Sequence, residues 1–204
     1  MQLNQKVAMT KAEKTKQFII EKTAPIFNAK GYAGTSISDL IKATGLTKGS
    51  IYGNFENKDE VAIAAFEYNF QKIVTLVRRT MEDKPLVVNK LLVYPEIYRN
   101  FLSNPTLAAG CPVTNTSTEA DDTHPMLRAK VEEAYTFWKS TLENHLKNGI
   151  ENGELKKDIN INEFVSVFIS IIQGGIIQAK VTGKTISLNY SMDYLEKYIK
   201  SLSI

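Results

Sequence analysis

Apolar side chains recur along this chain every three or four residues, the spacing of a helix face, and no stretch reads as a strand. Ile19, Thr23, Ile26 and Phe27 fall at i, i+4, i+7 and i+8 and predict the core face of a first helix. Two short helices around a tight turn follow. Ile37, Leu40 and Ile41 form one apolar face, and Leu46, Ile51 and Phe55 form the face opposite. Ser38 reads as the N-cap of the first of these, and Thr47 as the N-cap of the second, running from Lys48 to about Asn54. Gly45 between them fits the left-handed position that ends a helix, where a Cβ would interfere.

Helical spacing continues downstream. Lys58 to Thr80 predicts a long helix through Val61, Ala65, Phe66, Phe70, Ile73 and Val77. Leu86 to Leu102 predicts another, interrupted or kinked at Pro95, and Asn104 to Pro125 reads as a turn-rich region. Pro125 to Glu151 is a long amphipathic helix that stops at Asn148-Gly149 or Asn152-Gly153. Asn162 to Val181 and Met192 to Ser201 complete the set. The expected fold class is all-α.

The helix pair at residues 35–58 has the size of a unit that lays its second helix in the DNA major groove. From Thr47 to Phe55 there is one lysine and no acid, with Thr47, Gly49, Ser50, Tyr52 and Asn54 offering small or hydrogen-bonding side chains. Such residues let a helix approach base edges and phosphates closely. Charge changes the picture in the same direction. Residues 1–55 hold eight lysines against Glu13, Glu21 and Asp39, a net +5, while the whole chain is +3 and the remainder −2. The plainer alternative is a helix pair that only packs, its lysines ordinary solvated surface.

The segment IIEKTAPIFNAKGYAGTSISDLIKATGLTKGSIYGNFENKDEV resembles the N-terminal domain of the TetR/AcrR family of bacterial transcriptional regulators, over about residues 10–65. Lys30-Gly31-Tyr32, Thr35-Ser36-Ile37, Gly45-Leu46-Thr47, Lys48-Gly49-Ser50-Ile51-Tyr52 and Phe55 with Lys58 carry the likeness. Pro25 inside helix one, where a kink is expected, and Gly53 after Tyr52 depart from it. The resemblance implies a three-helix DNA-binding head (residues 1–57) and a larger helical body for effector binding and dimerisation (residues 58–204). It also implies a homodimer joined through the last two helices and a palindromic double-stranded operator. By the same likeness Thr47, Lys48, Gly49 and Ser50, with Asn54 beside them, face bases or adjacent phosphates. Tyr52 reaches a phosphate, and Thr35, Ser36 and Lys58 clamp the backbone. The sign of action that it implies is repression, relieved by a small molecule of unknown identity.

Composition bounds the rest. The polar N-terminus predicts no secretion signal, and the single cysteine allows no internal disulfide, which fits a cytoplasmic protein. The apolar run Phe164–Ala179 is 16 residues and includes Ser166, Ser170, Gln173 and Gln178, so no membrane span is expected. A helix apolar on most sides asks for burial on most sides, one face on its own body and another on a partner, with Gly174-Gly175 allowing close approach. The other arrangement is the central helix of a monomeric bundle.

Tyr94, Tyr98, Phe101, Phe137, Trp138 and Phe168 come from three segments and suit a pocket for an apolar or aromatic effector, two or three of them lining it. Taken singly, each is more readily core. Gly110-Cys111-Pro112, followed by Thr114, Asn115 and Glu119, resembles a TetR/AcrR subgroup in which some members sense electrophiles or oxidants through a cysteine, and Gln178-Ala179-Lys180 extends that likeness. If Lys180 approaches Cys111, its charge favours the reactive thiolate; otherwise Cys111 is a small buried hydrophobe. Neither HExxH, CxxC, GxSxG nor a glycine-rich phosphate loop occurs, so no cofactor or metal is expected. Two alternatives stay open: a thiol-modifying enzyme drawn on Cys111 and His124, or a protein-interaction module whose head no longer binds DNA.

Overall fold

The computed structural model describes residues 9–101 and 103–204; Lys6 of the basic segment and Leu102, the expected end of a helix, lie outside them. The described residues form α1 (Lys11–Lys30), α2 (Ile37–Thr44), α3 (Lys48–Tyr52), α4 (Lys58–Met81), α5 (Val87–Arg99), α6 (Pro112–Thr123), α7 (Pro125–Glu151), α8 (Ile161–Thr182) and α9 (Ile186–Lys200). Among them the only extended pairing is an isolated bridge between Leu155 and Ser203. The fold is all-α.

Local chemistry sets the ends of these elements. Thr10 and Glu13 form a reciprocal capping box that starts α1, and the helix continues through Pro25, which faces solvent. The first short helix is capped by Ser36, not Ser38. Asp39, three residues on, accepts from the Ser36 N–H (2.9 Å) while the Ser36 hydroxyl accepts from the Asp39 N–H (3.1 Å). Ser38 lies inside the helix and points to solvent. Gly45 ends α2 at φ 68°, and its N–H donates to the Ile41 carbonyl at 2.8 Å. Thr47 caps α3, which ends at Tyr52 rather than near Asn54.

Three further expectations are corrected. The supposed turn-rich stretch contains α6, whose twelve residues include five Ser or Thr. Those side chains compete for backbone hydrogen bonds and hide the helix from propensity. Burial of Val113, Thr114 and Ala120 and a proline at its first position hold it. The last helix begins at Ile186 rather than Met192, because Leu188 already belongs to the buried row Leu188, Met192, Leu195, Ile199. α8 runs for 22 residues with a mean hydropathy of 1.6 over its most apolar window, long and apolar enough to cross a bilayer. Here its face of Phe164, Phe168, Ile172 and Ile176 packs into the protein. α7 stops at the second of its two expected positions, with Gly153 at φ 72°.

Two apolar regions position the site. Ile19, Phe27, Leu40, Ile51, Phe55 and Val61 are buried where α1 to α3 meet the start of α4. Met81, Leu91, Tyr94, Trp138, Leu142 and Phe168 are buried where α4, α5, α7 and α8 come together. α4 takes part in both, so a tilt of this one helix is felt at each end. Gly175 lets α9 close on α8: a Cβ there would lie 2.9 Å from Leu188 Cδ1 and 3.2 Å from Ser191 Cβ.

Candidate functional site

The helix-turn-helix presents a narrow, acid-free edge. Thr47, Lys48 and Gly49 are exposed, whereas Ser50, Tyr52 and Asn54 are half-buried. Ile51 and Phe55 anchor the back of α3, so the edge is held rigidly. Lys48 Nζ lies 6.0 Å from the Tyr52 ring centroid, the outer limit of a cation–π contact. Asn54 donates to the Ser50 carbonyl at 2.9 Å, so one of its two amide N–H donors is committed to the helix. Lys30 braces α2 from behind at 2.7 Å from Asp39, and with the Ser36 bonds it holds that carboxyl well below the ordinary range.

The expected backbone clamps divide. Thr35 is fully buried, its hydroxyl donating to the Gly31 carbonyl at 2.6 Å, so its side chain is withdrawn from any phosphate. The Ser36 hydroxyl is occupied by the capping box. Lys58 sits with its ammonium 4.1 Å from the Tyr32 ring centroid, an aromatic partner that sequence spacing does not reveal.

Behind the head lies a junction that sequence reading misses. Glu119 of α6 accepts from the N–H groups of Tyr32 and Ala33, both at 2.7 Å. Gly31, at φ 74° and ψ 179°, makes the bend that aims those donors, and a Cβ there would stand 2.4 Å from Glu119 Oε2. The Tyr32 hydroxyl donates to Asp59 of α4. His124, between α6 and α7, accepts from the Leu127 N–H on Nδ1 (3.2 Å), which leaves the proton on Nε2, 3.6 Å from Asp59 Oδ1. Its ring also meets Tyr32 edge-on at 4.5 Å. His124 thus belongs to this junction, while the polar neighbour of Cys111 is the Tyr98 hydroxyl at 4.0 Å; the drawn thiol–imidazole pair is not assembled.

The Asp59 hydrogen bond, aided by burial, pushes the Tyr32 phenol up to about 12. An unfolded tyrosine ionises near pH ~10. The stability from this group is therefore complete below that pH and is lost as pH rises towards about 12. Urea unfolding at about pH 9 and about pH 11 is expected to show a steeper loss for the native chain than for Tyr32→Phe.

A cavity of about 580 Å³ opens between α4, α5 and α7, reaching the start of α6. Tyr94, Tyr98, Cys111, Phe137 and Trp138 line it, five of the expected effector residues. Phe101 and Phe168 do not. Both are core, Phe168 supporting Tyr94 edge-on at 5.3 Å between ring centroids. Lys180 lines a different cavity of about 350 Å³, nearer the head. Its ammonium donates to Asn115 Oδ1 (2.8 Å) and the Ala109 carbonyl (3.1 Å). Burial draws the Lys180 ammonium below its ordinary value, with the nearby Cys111 opposing. Asn115 in turn donates to Asn28 of α1, whose amide reaches the Gly110 carbonyl at 3.0 Å. Lys180 thus works as a tie between α8, α6 and α1.

Residues 87–195 match the model of the tetracyclin repressor-like C-terminal domain, and residues 19–65 match that of the bacterial regulatory proteins of the TetR family. The chain belongs to the TetR family. A TetR-family transcriptional regulator from Cytophaga hutchinsonii is 39% identical and superposes over 97% of this chain and 99% of its own, with a TM-score of 0.90. One from Chloroflexus aurantiacus is 32% identical over 96% and 98% of the two chains, with a TM-score of 0.89. The transcriptional repressor DhaR of Mycobacterium sp. strain GP1 is 23% identical over 167 residues, 81% of this chain and 82% of that one. TetR-family membership makes this chain a ligand-responsive, DNA-binding transcriptional regulator with a helix-turn-helix head. The TetR family is made up of transcriptional regulators, which are not typically enzymes.

Proposed function

We propose that the chain represses transcription as a homodimer whose two α3 helices occupy half-sites of a palindromic operator, and that an effector in the 580 Å³ cavity releases it. Residues 1–57 act as the head and residues 58–204 as the body, in the cytoplasm. Lys48, Gly49, Thr47 and Ser50 supply the operator edge, with Tyr52 reaching a flanking phosphate. One observation carries the release mechanism. α4 lines the cavity with its C-terminal half, while its N-terminal Asp59 is held with Tyr32, His124 and Glu119 in the junction behind the head. An occupant that moves α4 or α6 therefore shifts the spacing of the reading helices. It releases DNA only if it binds that shifted state better. Cys111 lines the same cavity, so its modification would act on the same equilibrium.

The exposed seam on the last two helices supports the dimer. Val167, Ile171, Gly174, Gln178 and Val181 repeat at fours and threes on the outer side of α8, and Ile186, Tyr190 and Tyr194 line up on α9. Val181 is 82% exposed and Tyr190 71%, an apolar stripe that one chain alone leaves in water. Gly174 has no atom within 4 Å of where its Cβ would be, which leaves room for a second helix. The test is selection of genomic DNA fragments by the purified protein, followed by sedimentation and operator titration of Val167→Asp/Tyr190→Asp. Palindromic fragments are expected for the native chain, and a one-chain mass with at least about a hundredfold weaker binding for the variant. Native protein that enriches no fragment, or a variant that stays dimeric, would overturn the reading.

A further inference from the structure

The cavity between α4, α5 and α7 is not uniform along its length, and the gradient bears on what it takes. α4 forms one wall, with Phe70, Ile73, Val74 and Val77 giving way to Arg78, Arg79 and Glu82 over roughly 18 Å at the helical rise. α5 and α7 repeat the gradient. Tyr98, Tyr94 and Lys90 succeed one another on α5, and Phe137, Trp138, Thr141 and His145 on α7. One end is aromatic, with Phe70 and Phe137 edge-on at 5.8 Å and Tyr94 stacked near Trp138 at 6.2 Å. The other end is cationic. Among the described residues, Arg78, Arg79, Lys90 and Glu82 enter no ion pair, so three positive charges face a single negative one.

The arginines alone would say little, because the last turn of a helix favours cations. Lys90 is different. It stands one turn into α5, near that helix's positive end, where a cation is disfavoured. His145 is half-buried beside it, and its imidazole is drawn below its ordinary value by burial and then by the Lys90 charge. Lys90 thus adds its charge to the same end of the cavity wall as Arg78 and Arg79, where Glu82 is the one acid among the lining residues. At the apolar end, the buried Trp138 Nε1 has no hydrogen-bond partner. The Tyr94 hydroxyl lies close enough for that N–H to temper the rise that burial gives the phenol, yet the two do not meet in hydrogen-bonding geometry.

We infer that the cavity binds an amphiphilic organic anion, its aromatic or acyl body among Tyr94, Phe137 and Trp138 and its anionic group at Arg78, Arg79 and Lys90. An acceptor atom in the body satisfies the Trp138 N–H. The inference rests on the proposal that this cavity is the effector site, and adds the chemistry of the effector. Charge at the mouth sets the choice between acids and their neutral analogues, while the aromatic end supplies most of the contact area.

The experiment uses two dyes that differ only by the anionic group, 1-anilinonaphthalene-8-sulfonate and the uncharged N-phenyl-1-naphthylamine, titrated into the full chain. The sulfonate is expected to bind about tenfold tighter or better at low ionic strength, with the preference shrinking as salt rises. Arg78→Gln/Arg79→Gln/Lys90→Gln should weaken the sulfonate by about tenfold or more and leave the neutral dye within about twofold. Lys139→Gln/Lys157→Gln/Lys184→Gln, which removes equal charge elsewhere, should change neither. Retained binding of the neutral dye shows that the cavity survives the substitutions, and Lys90→Met gives a milder second variant. Equal affinity for both dyes, or indifference of the sulfonate to all the mouth variants, overturns the inference. Selective sulfonate binding that leaves operator affinity untouched instead removes the effector proposal and keeps the ligand chemistry.

Discussion

Lys48→Ala combined with Tyr52→Phe is expected to weaken operator binding by about a hundredfold or more and leave the fold intact. Lys48 is exposed, and within Thr47–Phe55 no acid competes for its charge. Its ammonium is 6.0 Å from the Tyr52 ring centroid, a contact too long to hold it back from a phosphate. The apolar anchors of α3 are Ile51 and Phe55, neither of them altered, so the melting temperature should move little. In a dimer each substitution counts twice. Removing one phosphate contact per subunit should also lower the slope of log affinity against log salt by about 2. Titration by fluorescence anisotropy at several salt concentrations reads both quantities. An unchanged affinity would remove α3 from the interface.

Gly31→Ala is the substitution with the largest expected cost to the body-to-head connection. Gly31 has φ 74° and ψ 179°, a region closed to residues with a Cβ. The new methyl would also stand 2.4 Å from Glu119 Oε2, forcing the carboxylate off the Tyr32 and Ala33 N–H groups. Strain of about 1–3 kcal/mol and two weakened charge-assisted bonds lead to a loss of about 2–4 kcal/mol in unfolding free energy. Glu119→Gln keeps the size of the side chain and the Gly31 backbone, but turns one of the two accepting oxygens into an NH2 donor facing a backbone N–H, so it removes the charge and one of the two bonds. It is expected to cost about 1.5–3 kcal/mol while blunting effector-driven release of DNA, measured as the ratio of operator affinities with and without effector. If Glu119→Gln released DNA as the native chain does, α6 would not belong to the transmission route.

The two predictions draw on features of different visibility. The turn at Gly45, the Thr47 cap and the faces Leu40 and Ile51 are written in contiguous residues, because a helix-turn-helix is specified locally by caps and a few apolar positions. The long helices were legible for the same reason, α7 to its last residue at Glu151. The cap is ambiguous in sequence because Ser36 and Ser38 flank the first apolar residue, Ile37, and the partner Asp39, three residues after Ser36, decides between them. α6 reads as loop in the sequence because its Ser and Thr content conceals a helix that tertiary burial imposes. The Glu119 bonds to Tyr32 and Ala33 span 87 and 86 residues, and the tie from Lys180 to Asn115 spans 65. No local pattern encodes partners so far apart. Five of the aromatic and thiol positions did gather round one cavity, because apolar faces of neighbouring helices converge on common space. The cations at its far end are not legible in sequence, where Arg78, Arg79 and Lys90 look like solvated helix ends.

Trp138 is the one tryptophan of the chain, buried and set in the cavity wall. Ultraviolet emission from the whole molecule therefore originates largely at a single indole beside the space an effector would fill. The protein carries a built-in optical gauge of occupancy, readable without label or DNA.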